Sequence, residues 1–141
     1  MSLPAAPPLQ AVLETGLYVA DLARARAFYE TVMGLAPMLK DHRMAAYPVG
    51  ASVLLLFDQH AMGRAEHPFG GTIPAHQGTG GAHHAFAIDA SALPAWREHL
   101  AAHAVVLEGE VAWPKGAHSV YFRDPDQHLL ELVTPGLWAN Y

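Results

Sequence analysis

Two stretches of this chain carry the same alternation of side chains, and laying one over the other fixes most of what the chain can fold into. Residues 11–20 put Leu13, Leu17 and Val19 on one face of a strand and Glu14, Gly16 and Tyr18 on the other. Residues 83–88 put His84, Phe86 and Ile88 on one face and His83, Ala85 and Ala87 on the other. Superposition sets Glu14 on His83, Leu17 on Phe86 and Val19 on Ile88. A second pair repeats with it: residues 53–57 fall on 129–133, so Leu55 falls on Glu131. Each first strand leads into a helical pattern. Asp21 is placed to cap a helix from Leu22, whose Leu22, Ala25, Phe28, Tyr29, Val32 and Met33 recur on one side before Gly34 stops it. In the second copy Ser91 is the expected cap, Pro94 fits a first helical turn, and Leu93, Trp96, Leu100 and His103 supply the stripe.

The expected organisation is α+β, with two βαβββ modules. Residues 1–10, with Pro4, Pro7 and Pro8, form a flexible tail, and 11–57 the first module, with strands over 44–47 and 52–57. Residues 58–81 are a connecting loop, long enough to point to a lid or a partner contact. Residues 82–141 are the second module, with strands over 105–107, 118–122 and 129–133 and a turn at Asp124-Pro125-Asp126-Gln127. An apolar content of 52% in 141 residues is ample for one core.

Composition removes several classes of function. Lys and Arg number 8 against 13 Asp and Glu, a net charge of -5 that argues against nucleic acid or an anionic membrane surface. No apolar run is long enough to span a bilayer, and the first residues lack the basic start of a secretory signal. With Cys 0 there are no disulfides, thiol nucleophiles or thiolate metal sites, in keeping with a cytoplasmic location.

The candidate chemistry lies on the face opposite the apolar one. Ala85 and Ala87 leave room beside His83, so its imidazole projects into space rather than into a filled core. Glu14 shares the parity of His83, and Glu131 sits between Leu130 and Leu132, where an unpaired buried carboxylate would be costly. The bland alternatives are a hydrogen-bonded His83, a solvated Glu14, and a Glu131 paired with Arg123. Taken together the three residues read as a metal site. Tyr18, on the face of Glu14, and His76, in the long connection, are candidate substrate-binding residues; His60 is another within reach of the site. His84 has the opposite parity, His42, His67, His99 and His103 read as surface or helix-face residues, and His118 and His128 as structural.

The chain resembles the vicinal oxygen chelate superfamily, the group of glyoxalase I, bleomycin-resistance proteins and extradiol dioxygenases. The resemblance rests on residues 17–22 through Phe28-Tyr29 to Gly34-Leu35, on 83–88, and on Tyr121-Phe122-Arg123-Asp124-Pro125-Asp126 through Leu130-Glu131-Leu132. It implies paired βαβββ modules curled into a cupped mixed sheet, helices outside, around one divalent metal. The family's ligand positions correspond here to Glu14, Leu55, His83 and Glu131. Leu55 cannot coordinate, so the chain is closer to the three-ligand members than to glyoxalase I. Oxygen and imidazole donors suit Mn, Fe, Ni, Co, Zn or Mg. The expected function is a lyase or isomerase acting on a small molecule that chelates the metal through vicinal oxygens, with Glu14 as the base. The alternatives are a ring-cleaving dioxygenase of the extradiol type or a metal-free drug-binding protein. The expected partners are a small-molecule substrate and a second copy of the chain, in a homodimer that exchanges modules or does not.

Overall fold

The computed structural model describes residues 2–141; Met1, part of the expected tail, lies outside them. Residues 2–13 form no helix or strand and are exposed. Ten regular elements follow. They are β1 (Glu14–Val19), α1 (Leu22–Thr31), β2 (Leu39–Lys40), β3 (Met44–Val49), β4 (Ser52–Asp58), β5 (His83–Ala87), α2 (Leu93–Ala102), β6 (Gly109–Ala112), β7 (His118–Arg123) and β8 (Leu129–Val133).

The strands make two four-stranded sheets with the same connectivity, β1-β4-β3-β2 and β5-β8-β7-β6. In each the first strand pairs parallel with the last and the remaining pairs are antiparallel. The register bears out the repeat. Gly16 lies opposite Leu55 in the first sheet and Ala85 opposite Glu131 in the second, so Leu55 occupies the first-module place of Glu131. Alternation then sorts each strand. Leu17 and Val19 of β1, Leu54 and Leu56 of β4, Val120 and Phe122 of β7 and Leu130 and Leu132 of β8 are buried. They form one core with Ala25, Tyr29 and Val32 of α1 and Leu100 of α2.

Helix α1 forms as its sequence requires. The Asp21 side chain accepts a hydrogen bond from the Arg24 backbone N–H at 3.1 Å. Gly34, at φ +70, takes the left-handed turn that ends the segment at little cost to a residue without Cβ.

Three expectations are corrected. Leu13 precedes β1 and is 67% exposed: its carbonyl accepts the Val53 N–H at 2.9 Å, but its side chain lies beyond the buried core, which on β1 begins at Leu17. Ser91 does not cap α2; it lies in a 3-10 turn over Ala90–Ala92, closed by the Ala92 N–H bonding to the Asp89 carbonyl at 3.0 Å. Residues 105–107 are not a strand. Ala104 takes φ 56, the Val105 N–H returns to the Leu100 carbonyl at 2.9 Å, and Val105 and Leu107 pack against the core before β6 starts at Gly109. The strand between α1 and β3 is only two residues long. Among the described residues, no helix is long and apolar enough to cross a membrane.

The modules are bolted together by the turn before β8. Buried Asp124 accepts from the Tyr29 hydroxyl at 2.7 Å, and Asp126 accepts from the Ala20 N–H at 2.9 Å. Buried His128 receives the Ala82 N–H on Nδ1 at 3.0 Å, which leaves Nε2–H to donate to the Tyr18 carbonyl at 3.0 Å. His99, expected at the surface or on a helix face, lies on α2, 2.7 Å through Nε2 from the Val32 carbonyl, and ties α2 to the end of α1.

Candidate metal centre and cavity

The parallel pairing of β5 with β8 brings His83 and Glu131 together. Nε2 of His83 lies 3.2 Å from Oε1 of Glu131, and Nδ1 lies 2.9 Å from the Leu129 carbonyl. Because that carbonyl can only accept, Nδ1 carries a proton. A neutral imidazole would then aim its Nε2 lone pair at a carboxylate oxygen, and two acceptors cannot satisfy each other. Something positive belongs between them: a second proton on His83, or a cation. A histidine that donates its other N–H to a backbone carbonyl is also the usual arrangement around a metal. The donor set therefore fits a divalent cation.

Glu131 is held from behind. It is 4% exposed, and its Oε2 accepts from the Ser119 hydroxyl at 2.6 Å, while Ser119 Oγ accepts from the Trp113 indole N–H at 2.8 Å. Arg123, the alternative partner for Glu131, bonds instead to Glu108 at 3.2 Å and the Gln127 carbonyl at 3.1 Å. The Tyr121 ring lies 6.3 Å from that of His83, and burial, with the charge of Glu131 adding to it, pushes the Tyr121 phenol above its usual range. Sequence reasoning misses Ser119, although its parity with Tyr121, against core-facing Val120 and Phe122, carries the signal. Trp113 carries none. Ser119→Ala would leave a buried carboxylate oxygen and a half-buried indole N–H without partners, so it should lower unfolding free energy by about 2 kcal/mol, read by urea denaturation.

The first sheet has its own open face, holding Glu14, Gly16 and Tyr18 of β1 beside Leu55 and Phe57 of β4. The connection 58–81 runs over it as a strap. A bridge between Glu66 and Ile73 and a 3-10 turn at Pro68–Gly70 give the strap a hairpin form, and Glu66 is ion-paired to Arg43. His76 is anchored by its N–H to the Met62 carbonyl at 2.9 Å, and its Nδ1 meets the Tyr18 hydroxyl at 2.5 Å. The strap passes so close to Tyr18 that a Cβ on Gly78 would overlap its ring. Beneath it is a cavity of about 490 Å³ whose lining includes Glu14 and His76.

Glu14 is exposed and stands on this sheet, not the other. Among the described residues of one chain, no three His, Cys, Asp or Glu side chains converge as a metal site. The structure thus brings together His83 with Glu131, and Tyr18 with His76, but leaves Glu14 apart from the first pair. His60 is exposed, its imidazole Nε2 lies 3.4 Å from the Gln59 amide, and its N–H donates to the Asp58 carboxylate at 2.9 Å.

Known proteins resemble this chain in sequence and fold. A metallothiol transferase FosB from Shouchella clausii is 33% identical over 118 residues, covering 82% of this chain and 74% of its own. That of Staphylococcus saprophyticus subsp. saprophyticus is 26% identical over 127 residues, covering 89% and 78%. The crystal structure of a lactoylglutathione lyase from Agrobacterium tumefaciens superposes with a TM-score of 0.84 at 35% identity, over 94% of this chain and 99% of that one. The family model described as the glyoxalase/bleomycin resistance protein/dioxygenase superfamily matches residues 11–132, and with two modules of matching strand order around a shared core, the chain belongs to that superfamily.

Proposed function

We propose that this protein is a divalent-metal enzyme of the lyase or isomerase type, acting on a small molecule that presents two vicinal oxygens. The observation that carries the reading is the His83–Glu131 pair, two facing acceptors 3.2 Å apart in an arrangement that suits a cation between them. His83, Glu131 and Glu14 would hold the ion, whose identity among Mn, Fe, Ni, Co, Zn and Mg is open. When bound, it polarises the substrate oxygens and leaves positions for both. The register supports three protein donors rather than four, since the place equivalent to Glu131 in the first module is Leu55. Relatives named as a metallothiol transferase and a lactoylglutathione lyase agree with a metal enzyme on small molecules.

The chain's own residues divide the work. Glu131, fixed by Ser119, holds its position. Glu14 is exposed and free to move, so it serves as the base, taking the proton from the carbon beside a carbonyl and returning it to the neighbouring atom. Tyr18 and His76, hydrogen-bonded to each other, orient the substrate over the first sheet.

The separation of Glu14 from His83 and Glu131 within one chain supports a site completed across a homodimer. Two defective chains test this. Glu14→Ala and His83→Ala should each lose stoichiometric metal when alone. Mixed after unfolding and refolding together, they should recover about a quarter of the sites, because each mixed dimer has one site with both residues intact. No recovery in mixed dimers would place all three residues in one chain. Full metal in both single variants would remove Glu14 and His83 from the site, whereas no metal in the unsubstituted protein would favour a metal-free binding protein.

A further inference from the structure

The cavity under the strap has a chemistry of its own. It adjoins Glu14, yet most of its wall is apolar: Met38, Met44 and Met62 together with Val53, Leu55 and Phe57. Met62 is 5% exposed, buried by the strap that carries it, while Met38 is 57% exposed at the cavity's edge. At about 490 Å³ the space is in the range of small-molecule sites. Of the charged groups on the wall, Glu66 is paired with Arg43 and His76 is hydrogen-bonded to Tyr18, which leaves exposed Glu14 and Arg64, one of each sign, outside the ion pairs of the described residues. A highly charged arm placed here would give up its hydration against thioether and hydrocarbon with few partners in return. Three methionines make the wall polarizable and adaptable in shape, which suits flexible or irregular apolar groups.

We propose that this cavity takes an uncharged aliphatic or aryl arm of the substrate, and that the substrate is therefore amphiphilic: an oxygen-bearing head at Glu14 and an apolar tail under the strap. This rests on the proposed function only for the head. The tail's pocket exists whether or not a metal binds.

The test uses the intact protein with isotope-labelled methionine methyls, titrated with linear alcohols from butanol to octanol and followed by NMR, with and without divalent metal. Of the 5 methionines, Met33 is 7% exposed in the core, away from the cavity wall, and serves as the control. The expected result is saturable shifts at Met38, Met44 and Met62, a still Met33, and binding that tightens about fourfold per added methylene until the cavity is full. Leu55→Trp, which puts an indole into the space, should abolish the response while the Met33 signal keeps its folded position. Affinity independent of chain length, or shifts spread equally to Met33, would overturn the proposal. So would silent cavity methionines in the dimer, since they would mean that a partner's side chains fill the space. Alcohol binding in metal-free protein would survive a failed metal assay, and metal binding without any alcohol response would sink the tail alone.

Discussion

Glu131→Gln is expected to lose bound divalent metal, whereas Glu14→Gln keeps much of it and loses turnover. The two carboxylates differ in how they are held. Glu131 is 4% exposed, lies between core residues Leu130 and Leu132, and has one oxygen fixed by Ser119. An amide there removes the negative charge and presents either an oxygen or an NH2 toward His83, so a cation loses a donor that cannot be replaced by movement. Perturbing groups one step further out commonly costs 10–100-fold in metal affinity; losing this donor should cost more than about a hundredfold. Glu14 begins its strand after an exposed segment and is exposed itself, so it can leave and rejoin a metal as a base must. Its glutamine still offers an oxygen but cannot accept a proton at neutral pH. Equilibrium dialysis separates the cases, with thermal unfolding as the check that both variants fold. Equal metal loss would make Glu14 an ordinary ligand, and full activity in Glu14→Gln would exclude it as the base.

How far the sequence carried the fold is seen in its strands. Period-two alternation assigned the faces of β1, β5 and β8 correctly, because a one-residue slip would have turned Leu17, Val19, Leu130 and Leu132 out of the core. It misjudged residues 105–107, where apolar residues belong to the segment closing the end of α2. A short apolar run looks the same whether it packs on a sheet or under a helix. Ser91 was misjudged because a 3-10 turn satisfied through the Asp89 carbonyl needs no side-chain cap.

The candidate site was legible in the faces its residues occupy but not in their assembly. Parity placed Glu14, His83, Glu131 and Tyr18 on the open faces, and the long connection pointed to His76. Nothing in the order of residues says that the two open faces belong to separate sheets within one chain. That follows from the modules sharing a core through α1, α2 and the 124–128 turn, which are long-range contacts. Ser119 behind Glu131 shows the same limit: alternation gives a residue's face but not its partner.

That turn is also where a single substitution should damage the fold most. Asp124 is 2% exposed and accepts three hydrogen bonds: the Tyr29 hydroxyl on Oδ2 at 2.7 Å, and the Asp126 and His128 N–H groups on Oδ1, both at 2.9 Å. Tyr29 is 0% exposed, and burial, reinforced by the charge of Asp124, pushes its phenol far above the usual range, so it remains a donor at any ordinary pH. Asp124→Ala leaves that hydroxyl and two backbone donors without partners in the joint between the modules. Each orphaned buried group costs about 1–3 kcal/mol, and water entering the space left by the carboxylate recovers part of the sum. The expected loss is about 4 kcal/mol of unfolding free energy, a large share of what a domain of this size has. Tyr29→Phe should cost less, about 2 kcal/mol, because only one oxygen of Asp124 is left unmet. The double variant should then fall short of the sum of the two, since removing the hydroxyl orphans nothing further once the carboxylate is gone. Urea unfolding of the four proteins closes the cycle. Strict additivity would show that the two side chains do not act on each other, and that the joint is held by packing around Tyr29 rather than by its bond to Asp124.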